Sequence, residues 1–408
     1  MKRPQMYRVE QMFDATHVPH IRRAVVEALE NLSPAVVKSG QRVAITAGSR
    51  GIRGIAEIMR AVVDYFRRQG AVPFIFPAMG SHGGATAEGQ IAVLDRLGIS
   101  EAFVPAPIQS SMETVTVGRT PDGVPVYVDH NALGADHIVV VNRIKSHTKF
   151  KAPIESGLMK MMAIGMGKQK GAVLCHKAAV EYGMARIIVD AAREIIRRTP
   201  ILCGVGVVEN GYGDTAGIRA FAAADIEAGE EKLLRRAKQM AAKLPLNDID
   251  VLIVDQMGKD ISGVGMDPNV TGRNRDLLGV FPHPTRIKRI FVRDLSDQSY
   301  GNANGIGLAD VTTRRLVEKI DYQATYQNAV TAMGLEKAAV PMHFDTDEAA
   351  LSAALNSIGL VPPARSRIVR IRHTGDLKVV EVSAACLPQL AKNTRILAGP
   401  QPLAFDPL

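Results

Sequence analysis

Arg42-Val-Ala-Ile-Thr-Ala-Gly-Ser-Arg-Gly-Ile-Arg-Gly54 runs from an apolar strand pattern into a glycine-rich loop. The residues that follow turn helical: Ile55, Ile58, Met59, Val62, Val63 and Phe66 recur on one helix face. Strand, glycine loop, helix is the opening of a parallel α/β unit. The motif then repeats. Val72-Pro-Phe-Ile-Phe76 enters Ala78-Met-Gly-Ser-His-Gly-Gly-Ala-Thr86 and a helix near 88–97. His137-Ile-Val-Val-Val141 enters a long polar stretch, 142–176, and one long helix is expected over 177–198. Gly204-Val-Gly-Val-Val208 enters Glu209-Asn-Gly-Tyr-Gly-Asp-Thr-Ala-Gly217, and a charged helix follows over about 225–243.

Leu244-Pro-Leu-Asn-Asp248 reads as a linker, after which the pattern restarts. Val251-Leu-Ile-Val-Asp255 and Arg289-Ile-Phe-Val-Arg293 are strands entering polar, glycine-rich loops. The expected fold class is α/β: two Rossmann-like α/β domains with mostly parallel sheets and a ligand cleft between them. The expected boundaries are 1–246 for an N-terminal cofactor-binding and catalytic domain and 247–390 for a C-terminal α/β domain that closes on substrate. A tail, 391–408, is free to return to the N-terminal domain. In parallel sheets, ligands bind beyond the carboxyl ends of the strands. Arg50, His82, His147 and Asn210 each fall just after an expected strand.

Composition narrows the function classes. The 408 residues carry a net charge of +9, spread along the chain, which favours small anionic partners. There is no tryptophan and only 5 % aromatic content, so base-stacking platforms for nucleic acid are not expected. The three cysteines, Cys175, Cys203 and Cys386, form no paired framework and fit a cytoplasmic, reducing location. The first ten residues have no apolar signal core, and no run is long enough to span a membrane.

Three segments carry chemistry. Gly48-Ser-Arg-Gly-Ile-Arg-Gly54 suits an anion, because glycine lets the backbone approach and arginine pairs with phosphate or carboxylate. It is also similar to the nucleotide loop of short-chain dehydrogenases, but no tyrosine has lysine four residues later: Tyr182 meets Arg186 and Tyr300 meets Asn304. His82 and His147 sit in loops after separate strands, where a histidine can act as general acid or base from either side of a substrate. Finally, 142–176 holds two histidines, six lysines and four glycines. A continuous helix would separate Lys160 from His176 by about 24 Å. Gly165, Gly167 and Gly171 argue for a break that lets both side chains reach one ligand. His176 has no HxxxH or HExxH partner, so a metal there needs ligands supplied by a cofactor.

Together these segments resemble the nickel-pincer-nucleotide-dependent lactate racemase family. Ser49-Arg50-Gly51 matches its arginine loop, and His82 and His147 match its two catalytic histidines. Lys160, Gly165 and His176 match its cofactor lysine, a glycine five residues on and a nickel-binding histidine sixteen on. The resemblance implies a nickel-pincer nucleotide joined to Lys160 as a thioamide, with nickel bound by His176, two cofactor sulfurs and a pyridinium carbon in the roughly square-planar geometry nickel favours. It implies an isomerase inverting C2 of a 2-hydroxy acid by proton-coupled hydride transfer, with Arg50 contacting cofactor and substrate. It also implies that cofactor-biosynthesis enzymes act on the chain. Nucleic acid and membranes are not expected partners, and no oligomeric state follows.

The chain departs from the lactate-specific pattern. Ala47 replaces an acidic residue, Gly51 replaces a proline, and the segment from His147 to Lys160 is longer. The family's tyrosine–glutamine–lysine substrate cluster has no clear copy. Tyr300, Asn302 and Asn304 are the leading substrate-binding candidates, with Tyr322-Gln323 and Tyr326-Gln327 as others. Asparagines in place of lysine suggest a larger or polyhydroxy acid. Two alternatives stay open: an NAD(P)-dependent oxidoreductase, and a non-catalytic binder of acidic metabolites on the same scaffold.

Overall fold

The computed structural model describes residues 4–32, 37–275, 277 and 281–405. The first helix of the chain is Ile21–Glu30. The chain divides into two compact units. One, here the N-terminal unit, is Ala15–Ala241; the other, the C-terminal unit, combines Met1–Asp14 with Ala242–Leu408.

The N-terminal unit is built on a five-stranded sheet. Its order is Val72–Pro77, Arg42–Ala47, His137–Arg143, Ile201–Glu209, Thr215–Ala222. The first four strands are parallel and the last is antiparallel. Helix Ile55–Arg68 lays Ile58, Met59, Val62, Val63 and Phe66 against the sheet residues Val43, Ile45 and Ile75, all buried. This apolar stripe fixes the direction of the loop preceding it. Thr86 caps helix Ala87–Arg96 by accepting a hydrogen bond from the Gly89 amide, which ends the His82 loop at a defined point.

The helix expected over 177–198 is two helices, Lys168–Tyr182 and Met184–Arg198. Gly183, at φ 82° and ψ 138°, breaks them. Upstream, Leu158–Lys160 is a single helical turn that passes into a π-helical turn, Met161–Gly165. Lys168 then sits at φ 52°, so the chain changes direction between Lys160 and His176.

The C-terminal unit holds an eight-stranded sheet in the order Met342–Phe344, Val311–Thr313, Arg286–Leu295, Asp248–Met257, Ile368–Ile371, Val379–Ser383, Gln5–Gln11, Thr394–Pro402. The first five strands are parallel, and each remaining junction is antiparallel. This corrects two expected boundaries. Residues 5–11 belong with the C-terminal unit rather than with 15–241, and Thr394–Pro402 of the tail pairs with that first strand. The cause is burial on both faces: Val9 packs in the cluster of Leu252 and Val380, Met6 in that of Val251 and Ile368. An open edge at Val379–Ser383 would leave those groups and its backbone exposed. Among the described residues, no helix is long and apolar enough to cross a membrane.

Candidate active site

Three loops leave the carboxyl ends of neighbouring parallel strands in the N-terminal unit. The first, after Arg42–Ala47, carries Ser49, Arg50 and Gly51; the second, after Val72–Pro77, carries His82. Ser49 Oγ and His82 Nδ1 are hydrogen-bonded, which ties these two loops together at the candidate base. The third, after His137–Arg143, carries Lys145, His147 and Lys149.

The turn bearing Lys160 is locked to the same loops through close backbone approach. The Gly80 amide donates to Gly165 O at 3.1 Å. A Cβ at Gly165 would lie 2.5 Å from Ala78 O, so only glycine fits. Asn142 Nδ2 donates to Gly157 O at 2.8 Å, joining the third strand to the start of the turn. On the other side, Glu230 accepts from the Met159 amide at 2.8 Å and thereby satisfies an amide at the open end of the short helix. Burial pushes the Glu230 carboxyl up to about 7, against those amides.

His147 is buried and its ring lies 4.4 Å from that of Phe150. Glu155, itself buried, accepts from the His147 amide at 2.6 Å and forms an ion pair with Lys238 Nζ at 2.6 Å. His147 Nδ1 accepts from the Lys149 amide at 3.1 Å, so the remaining ring nitrogen, Nε2, carries the proton in the neutral form. Burial, then Lys160, Lys149, His176 and Lys145, hold His147 well below the usual histidine range. Lys160 and His176 thus lie close enough to act electrostatically on His147. His176 is pushed down to about 3 by burial, then by Lys149 and Lys160. Its Nδ1 is buried with no hydrogen-bond partner among the described residues. Lys160 is lowered to about 8 by burial, then by Arg50, Lys145 and Lys149. Arg50 reaches solvent, yet crowding by protein and then the Arg143 charge lower its pKa.

Ser49, Arg50, Gly51, His82, His147, Lys160 and His176 therefore belong to one unit and one loop cluster. Asn210 does not join them as a ligand group. Its Oδ1 accepts from the Tyr212 and Asp214 amides and its Nδ2 donates to Thr16 O, a loop-shaping role. In the C-terminal unit, Tyr300 is 86 % exposed at φ 48°. Asn302 Oδ1 accepts from the Asn304 amide, while Asn304 is 2 % exposed with Oδ1 unpartnered among the described residues. Arg273 ties its own loop down, bonding Asp310, Leu308 O and Ile287 O. A cavity of about 540 Å³ in that unit lies among Arg273, Arg286, Lys288 and Arg367, and Tyr300, Asn302 and Asn304 do not line it.

Sequence reasoning missed Asp129, Lys168, Gln90, Glu155 and Glu230. Lys168 lies in the polar segment 142–176, but its partners are remote in sequence, and nothing local marks them.

A family model described as the lactate racemase N-terminal domain matches residues 5–185. Residues 5–185 are thus similar in sequence to that domain family. The match contains the three loops, Lys160 and His176. Among solved structures, the fold is similar to that of the lactate racemase apoprotein from Thermoanaerobacterium thermosaccharolyticum. That likeness has a TM-score of 0.53 and 13 % identity, covering 88 % of this chain and 92 % of the other. Comparison with the curated proteins found no match.

Among the described residues, no group of three or more His, Cys, Asp or Glu side chains could hold a metal ion. The residues present suit a group that brings most of its own ligands. His176 offers one buried, unpartnered ring nitrogen, Lys160 an amine close to neutrality, and the surrounding charges are cationic.

Proposed function

We propose that the protein is a racemase or epimerase acting at C2 of a 2-hydroxy acid with a nickel-pincer nucleotide. The observation that carries this reading is the convergence of His82, His147, Lys160 and His176 in a family-matched unit. His176, neutral across the working pH range, would supply the protein ligand to nickel. Lys160, with its pKa lowered to about 8, has a substantial neutral fraction and would form the covalent link. When bound, the cofactor supplies hydride acceptance and return at the substrate carbon, which no side chain here can do.

The side chains do the rest. Arg50 and the neighbouring lysines draw in and orient a carboxylate. With Nδ1–H donating to Ser49 Oγ, His82 presents a lone pair on Nε2 and can take the hydroxyl proton as a general base. His147, kept neutral by burial and positive neighbours, can exchange the proton from the other side as the 2-keto acid is reduced again. Two histidines allow either enantiomer to present its hydroxyl to a base. Ala47 and Gly51, in place of an acidic residue and a proline, favour an acid other than lactate. Cofactor-making enzymes are the expected protein partners.

Co-expression with those enzymes should give a Lys160 peptide carrying the cofactor mass, near-stoichiometric nickel, and deuterium exchange at C2 of a 2-hydroxy acid. His82→Ala should keep the adduct and nickel but lose roughly 10²–10⁴-fold in turnover. Full activity in that variant, or unmodified Lys160 without nickel, removes the assignment.

A further inference from the structure

We infer that Lys168, Gln90 and Asp129 form a positioning network that sets the His82 loop against the helix bearing His176. The inference rests on the reading of His82 as a proton-transferring residue.

Lys168 is fully buried, as are Gln90 and Asp129. Its Nζ donates to Pro77 O at 2.5 Å and to Gln90 Oε1 at 3.0 Å, and it forms an ion pair with Asp129 Oδ2 at 3.0 Å. The last contact is an ion pair rather than an aligned hydrogen bond. An ammonium has donors only, so the amide of Gln90 must face it through oxygen. That orientation turns Gln90 Nε2 the other way, where it donates to Gly80 O at 3.0 Å and to His82 O at 3.3 Å. Hence the charge on Lys168 selects the amide orientation that holds the His82 backbone. Asp129 in turn is fixed by accepting from the Ala132 amide at 3.1 Å.

The position needs holding. Gly80, Gly83, Gly84 and Ala85 all have positive φ, so the loop is made of backbone that few sequences adopt unaided. Lys168 itself has φ 52°, an unusual state for a long side chain, and it opens the helix that carries His176. A buried ion pair is a poor choice for stability alone, since apolar residues of similar volume usually serve as well. Here each polar contact other than that with Asp129 ends, directly or through Gln90, on the segment Pro77–His82.

The decisive experiment uses the full chain with ¹⁵N-labelled histidine, comparing wild type with Gln90→Met and Lys168→Met, and His82→Gln to assign the ring signals. Gln90→Met keeps the Lys168–Asp129 pair and is the variant that decides if Lys168→Met fails to fold. In folded Gln90→Met, the His82 ring signals should move and lose the pattern of a ring held by the Ser49 hydroxyl, while nickel content after cofactor loading stays at the wild-type level. In the loaded enzyme kcat should fall roughly 100-fold with KM within about 2-fold, the pattern of a misplaced catalytic group. Unmoved His82 signals in folded Gln90→Met overturn the network as a positioning device, whatever the activity. If loaded wild type does not turn over any 2-hydroxy acid, the racemase reading fails, and the His82 signals alone decide the network.

Discussion

Arg293 and Lys160 are both cations withdrawn from water, and their surroundings treat them in opposite ways. Arg293, in the C-terminal unit, is fully buried between Asp255 at 2.9 Å and Asp347 at 3.0 Å, with its guanidinium 4.8 Å from the centre of the Phe405 ring. Arg370 shares Asp255, and Arg315 shares Asp347. Lys160, in the N-terminal unit, has its pKa lowered by burial and by Arg50, Lys145 and Lys149, all positive. The first arrangement is complete in itself and tethers the chain near its C-terminus. The second concentrates like charge on one set of loops, which lowers stability and becomes favourable only when an anion arrives. The difference separates a charge-paired structural cluster from a candidate site without reference to any family.

Breaking the closed network should have the largest effect. Arg293→Met leaves two half-buried carboxylates, Asp255 and Asp347, short of a partner and should destabilise the C-terminal unit by about 3 kcal/mol, read by thermal or denaturant unfolding. A near-neutral result would show that Arg370 and Arg315 suffice. Glu230 sharpens the contrast from the acidic side. Its folded pKa of about 7 lies above the ordinary 4.5, so its stabilising contribution is full below 4.5 and lost as pH rises through 7. Glu230→Gln should therefore be more stable than wild type at pH 8 by about 2 kcal/mol, with the gap closing toward pH 4.5. A gap that widens on acidification would reverse the sign and discard the argument.

Lys160 should behave as the converse of Arg293. Its folded pKa of about 8 lies below the ordinary 10.5, so its contribution is present above 10.5 and lost as pH falls through 8. Lys160→Met should thus raise apoprotein stability at pH 7 by about 1–2 kcal/mol after allowance for solvent screening, fading toward pH 10.5. Destabilisation at pH 7 would mean that the cluster is compensated after all. At the small end stands the exposed pair Arg235–Glu231, one helical turn apart on Ile226–Met240. Arg235→Ala should change stability by less than about 0.5 kcal/mol.

The loops that matter were legible because their signals are local. The continuous apolar run at Arg42–Ala47 and the period-3.6 apolar pattern of Ile55–Arg68 need only a dozen residues to declare themselves. Ser49, His82 and His147 follow strands, and glycines around Lys160 break the helix, so their clustering followed from parallel topology. The break between the two helices at Gly183 was missed, because glycine inside a helical pattern is tolerated often enough to be passed over.

What the sequence by itself determined is therefore the alternation of strands, glycine loops and helices, the candidate histidines and lysine, and the site's cationic character. These rest on covalent neighbours and short spacings. Only the tertiary structure decided that residues 5–11 complete the C-terminal sheet, that Glu230 holds the amide of Met159 71 residues away, and that Lys168 meets Asp129 and Gln90. Such pairings are selected by burial: a polar group taken out of water must find whichever partner the packed chain brings within about 3 Å. That partner leaves no periodicity in the sequence.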